Sequence, residues 1–468
     1  MRRWLAALLL MLAPCAAGAA PERAPVPAEV EIVRNGTSWT ADFTFDHAAQ
    51  AWVFVRSPLT EVGGRPWRPQ GWIVETPGVR LERRGYYDAL VAADGGAVPA
   101  HVRIRFAPFG DRVAGDYDPA LLFTDGAVAL YSEQFDAFPL ADASAVARIP
   151  AALAASDIPY SATRATFRDA AGQVLAGGRR VSAATFEDEG DGSYVLFGSA
   201  EPIVTDALIL VVDPQLPPWL HDSIATATPL ILDRYAGLLG PRPGPKPTIM
   251  VSWRGATPGL TSQGGSTLPG LIVMRIEGVG MLSGDARARQ SNLWFIAHES
   301  AHFWLGQAVH YQTPLDSWIT EGGADLLAFR AVAAVDPTYD ARTDLQRSIE
   351  ECVALSAGRG VASALERNEF RAYYACGGVF ALVAESVSHR PFDAFVRALI
   401  EANRDDRTLT RAEWLAALDR ASGDPTLSRD IGTMLDSGVA DPKAMIASLF
   451  TRAGIAFTPG PDGTPRLS

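Results

Sequence analysis

"SNLWFIAHESAHFWLGQAV" at residues 291–309 and "DSWITEGGADLLAF" at residues 316–329 decide how the second half of this chain is read. An α-helix turns about 100° per residue, so His298 and His302 share one face, roughly 40° apart. Glu299 lies about 100° round from the first histidine, close enough to face a water between them. This H-E-x-x-H spacing lets both imidazoles reach one zinc ion. By itself it also suits two histidines lining a buried helix. The second stretch separates these readings, because Glu321 follows His302 by nineteen positions on what reads as another helix, with Asp316 as its expected N-cap. A helix, a turn and a returning helix bring that carboxylate back beside the histidines. Two histidines and one carboxylate leave a fourth position open, the form of a catalytic zinc site. Gly322 and Gly323 each cost up to about 1 kcal/mol inside a helix, which predicts a close approach of this helix to the zinc helix. Asp325, one turn beyond Glu321, is placed either to accept the second N–H of a ligand histidine or to lie at the surface.

Upstream the grammar differs. "EVEIVRN" (29–35), "AWVFVRS" (51–57) and "HVRIRFAP" (101–108) alternate apolar and polar residues, as half-buried strands do. "VSAATFEDEGDGSYVLFG" (181–198) reads as a hairpin turning at Asp188 to Gly192, its acids solvated rather than calcium-binding. Trp67 and Trp72 read as packing residues. From about residue 206, "ALILVVDP", "PTIMVSW" and "PGLIVMRI" read as strands, and "PPWLHDSIATATPLILDRYAGLLG" as a helix opened by proline and closed by glycine. Beyond Ser283 the pattern is mostly helical.

Composition sets the class. Of 468 residues, 48% are hydrophobic and 20% charged, which is globular and long enough for two or three domains. "MRRW", "LAALLLMLA" and "AAGAA" have the charged, apolar and small-residue parts of a secretory signal peptide, residues 1–20. Proline before Cys15 argues against a lipoprotein, and no later stretch reaches the ~20 apolar residues of a membrane span. Loss of Arg2 and Arg3 with the leader takes the formal net charge from −12 to −14, which disfavours nucleic acid and anionic membrane surfaces. The basic residues are arginine except Lys246 and Lys443, a bias that together with the leader suggests a secreted or periplasmic bacterial protein. Cys352 and Cys376 then form an even pair in an oxidising compartment. One disulfide closing their loop would contribute about 3 kcal/mol; two buried free thiols is the alternative.

"HESAHFWLGQ" followed by "WITEGGA" resembles the gluzincin metallopeptidases, and most of all the aminopeptidase N group, whose pattern is H-E-x-x-H-x-W-x-G, eighteen residues, then E-G. His298, Glu299, His302, Trp304, Gly306, Glu321 and Gly322 match it at the same spacing. "YYACGGVFAL" (373–382) resembles the family's Y-x-x-G segment, which implies Tyr374 as the catalytic tyrosine, with Tyr373 as the fallback. The resemblance spans roughly residues 206–460. It implies an α+β fold: an N-terminal β-sandwich-like domain (21–205), then a thermolysin-like mixed α/β and helical catalytic domain (206–460), then a tail (461–468). It also implies one Zn2+ held by His298, His302 and Glu321, acidifying a water and polarising a peptide carbonyl. Glu299 would be the general base, and Tyr374 a donor to the oxyanion. By resemblance, "LIVMRI" (271–276) would be the edge strand along which an extended peptide lies.

The likeness is incomplete. The group's G-x-M-E-N glutamate, which holds the substrate's free amine, aligns with Thr267 in "QGGSTLPGLIVM" (263–274), and Glu277 is a weak substitute. Thr320 replaces the asparagine of "NEG". After "SLFTRAGIAF" (448–457) the chain is expected to lack the group's large helical C-terminal domain, leaving a more open cleft. The expected substrate is therefore a peptide or protein, with aminopeptidase-like cleavage implied by resemblance and endopeptidase cleavage in an open cleft as the alternative. A catalytically silent zinc scaffold with a partner-binding β domain is a further alternative. His310 either lines the cleft or sits on an exposed loop. No G-x-S-x-G elbow supports a serine hydrolase.

Overall fold

The computed structural model describes residues 27–468 except 152, 154–155, 159–162 and 188–191. The leader and most of the acidic 188–192 turn lie outside the described residues. The first part of the chain folds as three antiparallel-rich sheets. A six-stranded sheet runs in the order Ala184–Phe186, Arg164–Asp169, Ala28–Asn35, Ser38–Phe45, His101–Phe106, Trp72–Val74. The alternation along Ala28–Asn35 puts Ala28, Val30 and Ile32 inward, and Gly36, at φ 61°, turns the chain into Ser38–Phe45. A four-stranded and a five-stranded sheet complete the sandwich-like part, and side chains of all three sheets, among them Ile32, Phe54 and Val195, share one core. Trp67 and Trp72 are buried there, edge to face at 5.8 Å, with the guanidinium of Arg68 over both rings and paired with Asp88 at 3.2 Å.

The expected 181–198 hairpin does not form. Ala184–Phe186 pairs with Arg164–Asp169 in the six-stranded sheet, whereas Tyr194–Phe197 pairs with Val128–Tyr131 in the five-stranded sheet. Alternation marked both strands correctly, but a turn between two strands does not choose their partners.

A second five-stranded sheet follows, in the order Ile203–Val204, Ile209–Val212, Thr248–Trp253, Leu271–Glu277, Ser262–Leu268. Its central strands are parallel and nearly continuous in apolar residues, as strands covered on both faces must be. One face receives the β part: Leu121, Leu175 and Leu196 pack on Val211, Met250 and Val273. The other carries α1 (Pro218–Leu239) and α2 (Ala286–Ala301), which bury Ile224, Ile231 and Ile296 against Ile249, Val251 and Met274. The edge strand is Ser262–Leu268, not "LIVMRI", which lies inside the sheet between two neighbours. Leu268 pairs with Leu271, so Pro269 and Gly270, the latter at φ 68°, form a tight turn that folds this polar, glycine-containing strand back antiparallel.

The helical lobe contains α3 (Trp318–Val335), α4 (Ala341–Ser356), α5 (Arg371–Ser388) and four further helices between Phe392 and Ala453 among the described residues. Ser317, not Asp316, stands at the N-cap of α3, while Asp316 lies in a short 3-10 turn and accepts from the Trp318 indole at 3.4 Å. Residues 461–468 are no loose tail. Pro465–Leu467 pairs with Phe457–Pro459, and Leu467 N–H donates to Gln346 of α4 at 3.0 Å.

Candidate metal centre

Asp285 caps α2 by accepting from Ala288 N–H at 2.9 Å, and the helix ends at Ala301 with His302 at its C-cap. The apolar run that follows is therefore not helical. It turns back, anchored by the Trp304 indole on Gly240 O at 2.9 Å. Both histidines still face one point, with their Nε2 atoms 3.1 Å apart. Their Nδ1 atoms point away. That of His298 meets Asp325 Oδ1 at 2.9 Å, and that of His302 meets Leu305 O at 3.0 Å. A carbonyl only accepts, so His302 carries its proton on Nδ1, and the Asp325 carboxylate favours the same tautomer in His298. Both Nε2 atoms are thereby turned inward.

Glu321, in the first turn of α3, supplies the third group. Its Oε2 lies 3.3 Å from His298 Nε2 and 3.5 Å from His302 Nε2, and it is buried without a well-aligned hydrogen-bond donor. One ligand atom from each of His298, His302 and Glu321 can be drawn within 4.8 Å of the others. Burial opposes charge on His298, but Asp325 and Glu321 outweigh it and hold the imidazole up at about 10. His302 is raised likewise, against burial, by Glu321. Glu321 is held well below the ordinary carboxylate range because the imidazoles outweigh its burial. An orphaned buried oxygen, two inward-facing Nε2 atoms and a field favouring positive charge fit a divalent cation of the zinc type, which would take the place of the Nε2 protons.

Two glycines bring the elements this close. A Cβ on Gly322 would lie 2.1 Å from the backbone carbon of Gly377, so α3 crosses α5, not α2 as expected, at glycine-to-glycine distance. Gly323 faces Leu305 just past α2, with 2.6 Å from its would-be Cβ to Leu305 Cδ1. Cys352 and Cys376 are disulfide-bonded, joining α4 to α5 next to that crossing.

A cleft of about 840 Å³ covers the group and reaches Glu299, Tyr374, Thr320 and Thr267. Glu299 is 6% exposed, and burial raises its carboxyl despite both imidazoles. Tyr374 stacks on His298 with 5.6 Å between ring centroids, and its hydroxyl is pushed well up by burial and by the carboxylates of Glu321 and Glu299. Tyr373 turns elsewhere, donating to Ala362 O at 2.9 Å. Glu277 does not line the cleft; it pairs with Arg275 at 2.8 Å. His310 is both exposed and on the cleft wall. The sequence reading missed the edge strand, the Tyr117 wall contributed by the β part, and the contact of the Thr267 hydroxyl with Glu299 at 3.0 Å. The Pro-Gly pair at 269–270 between two short runs was the available signal for that strand.

No family model matches the chain, and no curated protein matches it in sequence. Solved structures do share its architecture, a β-sheet part followed by a mixed-sheet and helical part. Among them is an aminopeptidase N family protein from Idiomarina loihiensis, 12% identical, with TM-score 0.61 over 90% of this chain and 78% of that one. Yeast LTA4 hydrolase is similar at 14% identity, with TM-score 0.52 over 91% of this chain and 72% of that one. At these identities the likeness is one of fold.

Proposed function

We propose that this protein is a zinc-dependent hydrolase of peptide bonds, exported to the periplasm or secreted. The observation that carries the reading is the convergence of His298, His302 and Glu321 from α2 and α3, beside a buried Glu299 and in an open cleft. The similarity of fold to an aminopeptidase N family protein supports it. Zinc, when bound, supplies an acidified water and Lewis-acid polarisation of the carbonyl. Asp325 and Leu305 O orient the two imidazoles. Glu299 takes the attacking water's proton and returns it to the leaving amine, a role typically contributing about 100- to 10,000-fold. The Tyr374 hydroxyl, kept protonated by its surroundings, donates to the developing oxyanion.

Cleavage within chains is favoured over removal of amino-terminal residues. The only carboxylates lining the cleft among the described residues are Glu299 and Glu321, both committed to the metal chemistry. A buried substrate ammonium would have no anionic partner, and burying an unpaired charge is costly. The substrate in this reading is a peptide or protein chain, as the similarity of fold to an aminopeptidase N family protein supports.

The test is mass spectrometry of a mixed peptide pool incubated with mature protein, alongside a chelator control and Glu299→Gln. Cleavage that both controls reduce by about 100-fold or more is expected, with zinc still bound in the variant and products cut internally. Ladders shortened from the amino end would overturn the internal mode. No cleavage by zinc-loaded wild type would leave a non-catalytic zinc scaffold.

A further inference from the structure

Thr267 sits near the end of the edge strand Ser262–Leu268, against the metal helix. Its Oγ1 is 2.8 Å from the main-chain oxygen of Glu299 and 3.0 Å from Glu299 Oε2. A threonine hydroxyl has one proton to donate, and both groups accept when Glu299 is ionised, so that proton is shared between the main-chain oxygen and Oε2. No protein hydrogen bond engages the other carboxylate oxygen, Oε1, among the described residues. One carboxylate oxygen is thus held on the sheet edge, in a residue that lines the cleft.

The support is rigid. Thr267 is in register with Ile272, and the Pro269–Gly270 turn follows directly. Gln307 Nε2 donates to Leu268 O at 2.7 Å, tying the strand's end to the segment after the zinc helix. Threonine is also stiff at χ1 because it is β-branched. A side chain on such a support can hold its neighbour to within the fraction of an ångström that a working site needs.

We propose that Thr267 is a positioning residue for Glu299: its hydroxyl proton, shared between Oε2 and the adjoining main-chain oxygen, holds the carboxylate by one edge and leaves Oε1 to take the water's proton. This rests on the reading of Glu299 as the base. It also means that this hydroxyl serves the base and is not an anchor for the substrate.

The test compares Thr267→Val, which keeps the shape and removes the hydroxyl, with Thr267→Ser, which keeps the hydroxyl. Misplacing a reacting group by about 1 Å costs on the order of 100-fold. For Thr267→Val the expected result is a fall in kcat of about 10- to 100-fold, with KM and zinc content unchanged, and Thr267→Ser close to wild type. Wild-type kcat in Thr267→Val, a loss confined to KM, or equal impairment in the serine variant would overturn the proposal. Crystal structures of zinc-loaded wild type and Thr267→Val provide a readout independent of turnover, in which Glu299 should leave its wild-type orientation only in the variant. An inactive wild type would defeat the hydrolase reading alone. An unmoved Glu299 in the valine variant would defeat the positioning role whatever the activity.

Discussion

Gly322→Ala should disable the metal centre without touching a ligand. The new methyl would lie 2.1 Å from Gly377 C, 2.3 Å from Gly377 Cα and 2.4 Å from Gly378 N. Carbon contacts settle at about 3.5–4.0 Å, so α3 and α5 must separate by roughly 1 Å or more. Overpacking usually costs about 1–3 kcal/mol. Here every colliding atom is backbone and cannot rotate aside, so a loss of about 3 kcal/mol is expected. Glu321 is the neighbour of Gly322, and Tyr374 lies one turn before Gly377, so the displacement falls on both. A shift of about 1 Å should lower kcat/KM on the order of 100-fold and weaken zinc retention. Urea unfolding, zinc content after dialysis against a competing chelator, and peptide hydrolysis read the three effects separately. Gly378→Ala is the control, since its nearest neighbour would be 3.9 Å away. Gly323→Ala should fall between them, because it meets the end of the Leu305 side chain, which can move. Wild-type zinc retention and stability in Gly322→Ala would refute the claim that the glycine crossing sets the position of Glu321.

Two further outcomes are expected. Asp325→Asn removes the anionic acceptor from His298 Nδ1 and should weaken zinc affinity by about 10- to 100-fold, measured by competition with a fluorescent chelator; unchanged affinity would assign Asp325 to packing alone. Asp118, between the β part and the edge strand, has its carboxyl raised to about 6, chiefly by burial. A raised acid binds its proton more tightly folded than unfolded, so stability falls as pH rises from about 4 to about 6 and then levels off. Asp118→Asn keeps an acceptor for Val113 N–H and should be more stable than wild type by about 1–3 kcal/mol above pH 7, the difference vanishing near pH 4. A pH-independent difference in urea unfolding would refute that assignment.

The sequence by itself determined what depends on near neighbours along the chain. Four-residue spacing on a helix is enough to place His298 and His302 on one face, and alternation is enough to mark Ala28–Asn35 and His101–Phe106 as half-buried strands. The local pattern also marked extended chain on both sides of the 188–192 turn, yet Ala184–Phe186 and Tyr194–Phe197 find their partners in different sheets. Strand pairing is settled by which apolar faces can be buried together, and that is a property of the whole molecule. The same reason hid the edge strand: "SQGGSTL" is polar and glycine-containing, with little strand character of its own, and is extended because Leu271–Glu277 pairs with it. The glycines after Glu321 announced a close approach, but only the packed lobe shows that its partner is α5. Thr267 could be aligned from sequence, while its contact with Glu299 joins residues 32 positions apart and arises only when strand and helix are packed. Periodicity is a short-range signal. The distances that make a catalytic group are long-range, and tertiary packing alone supplies them.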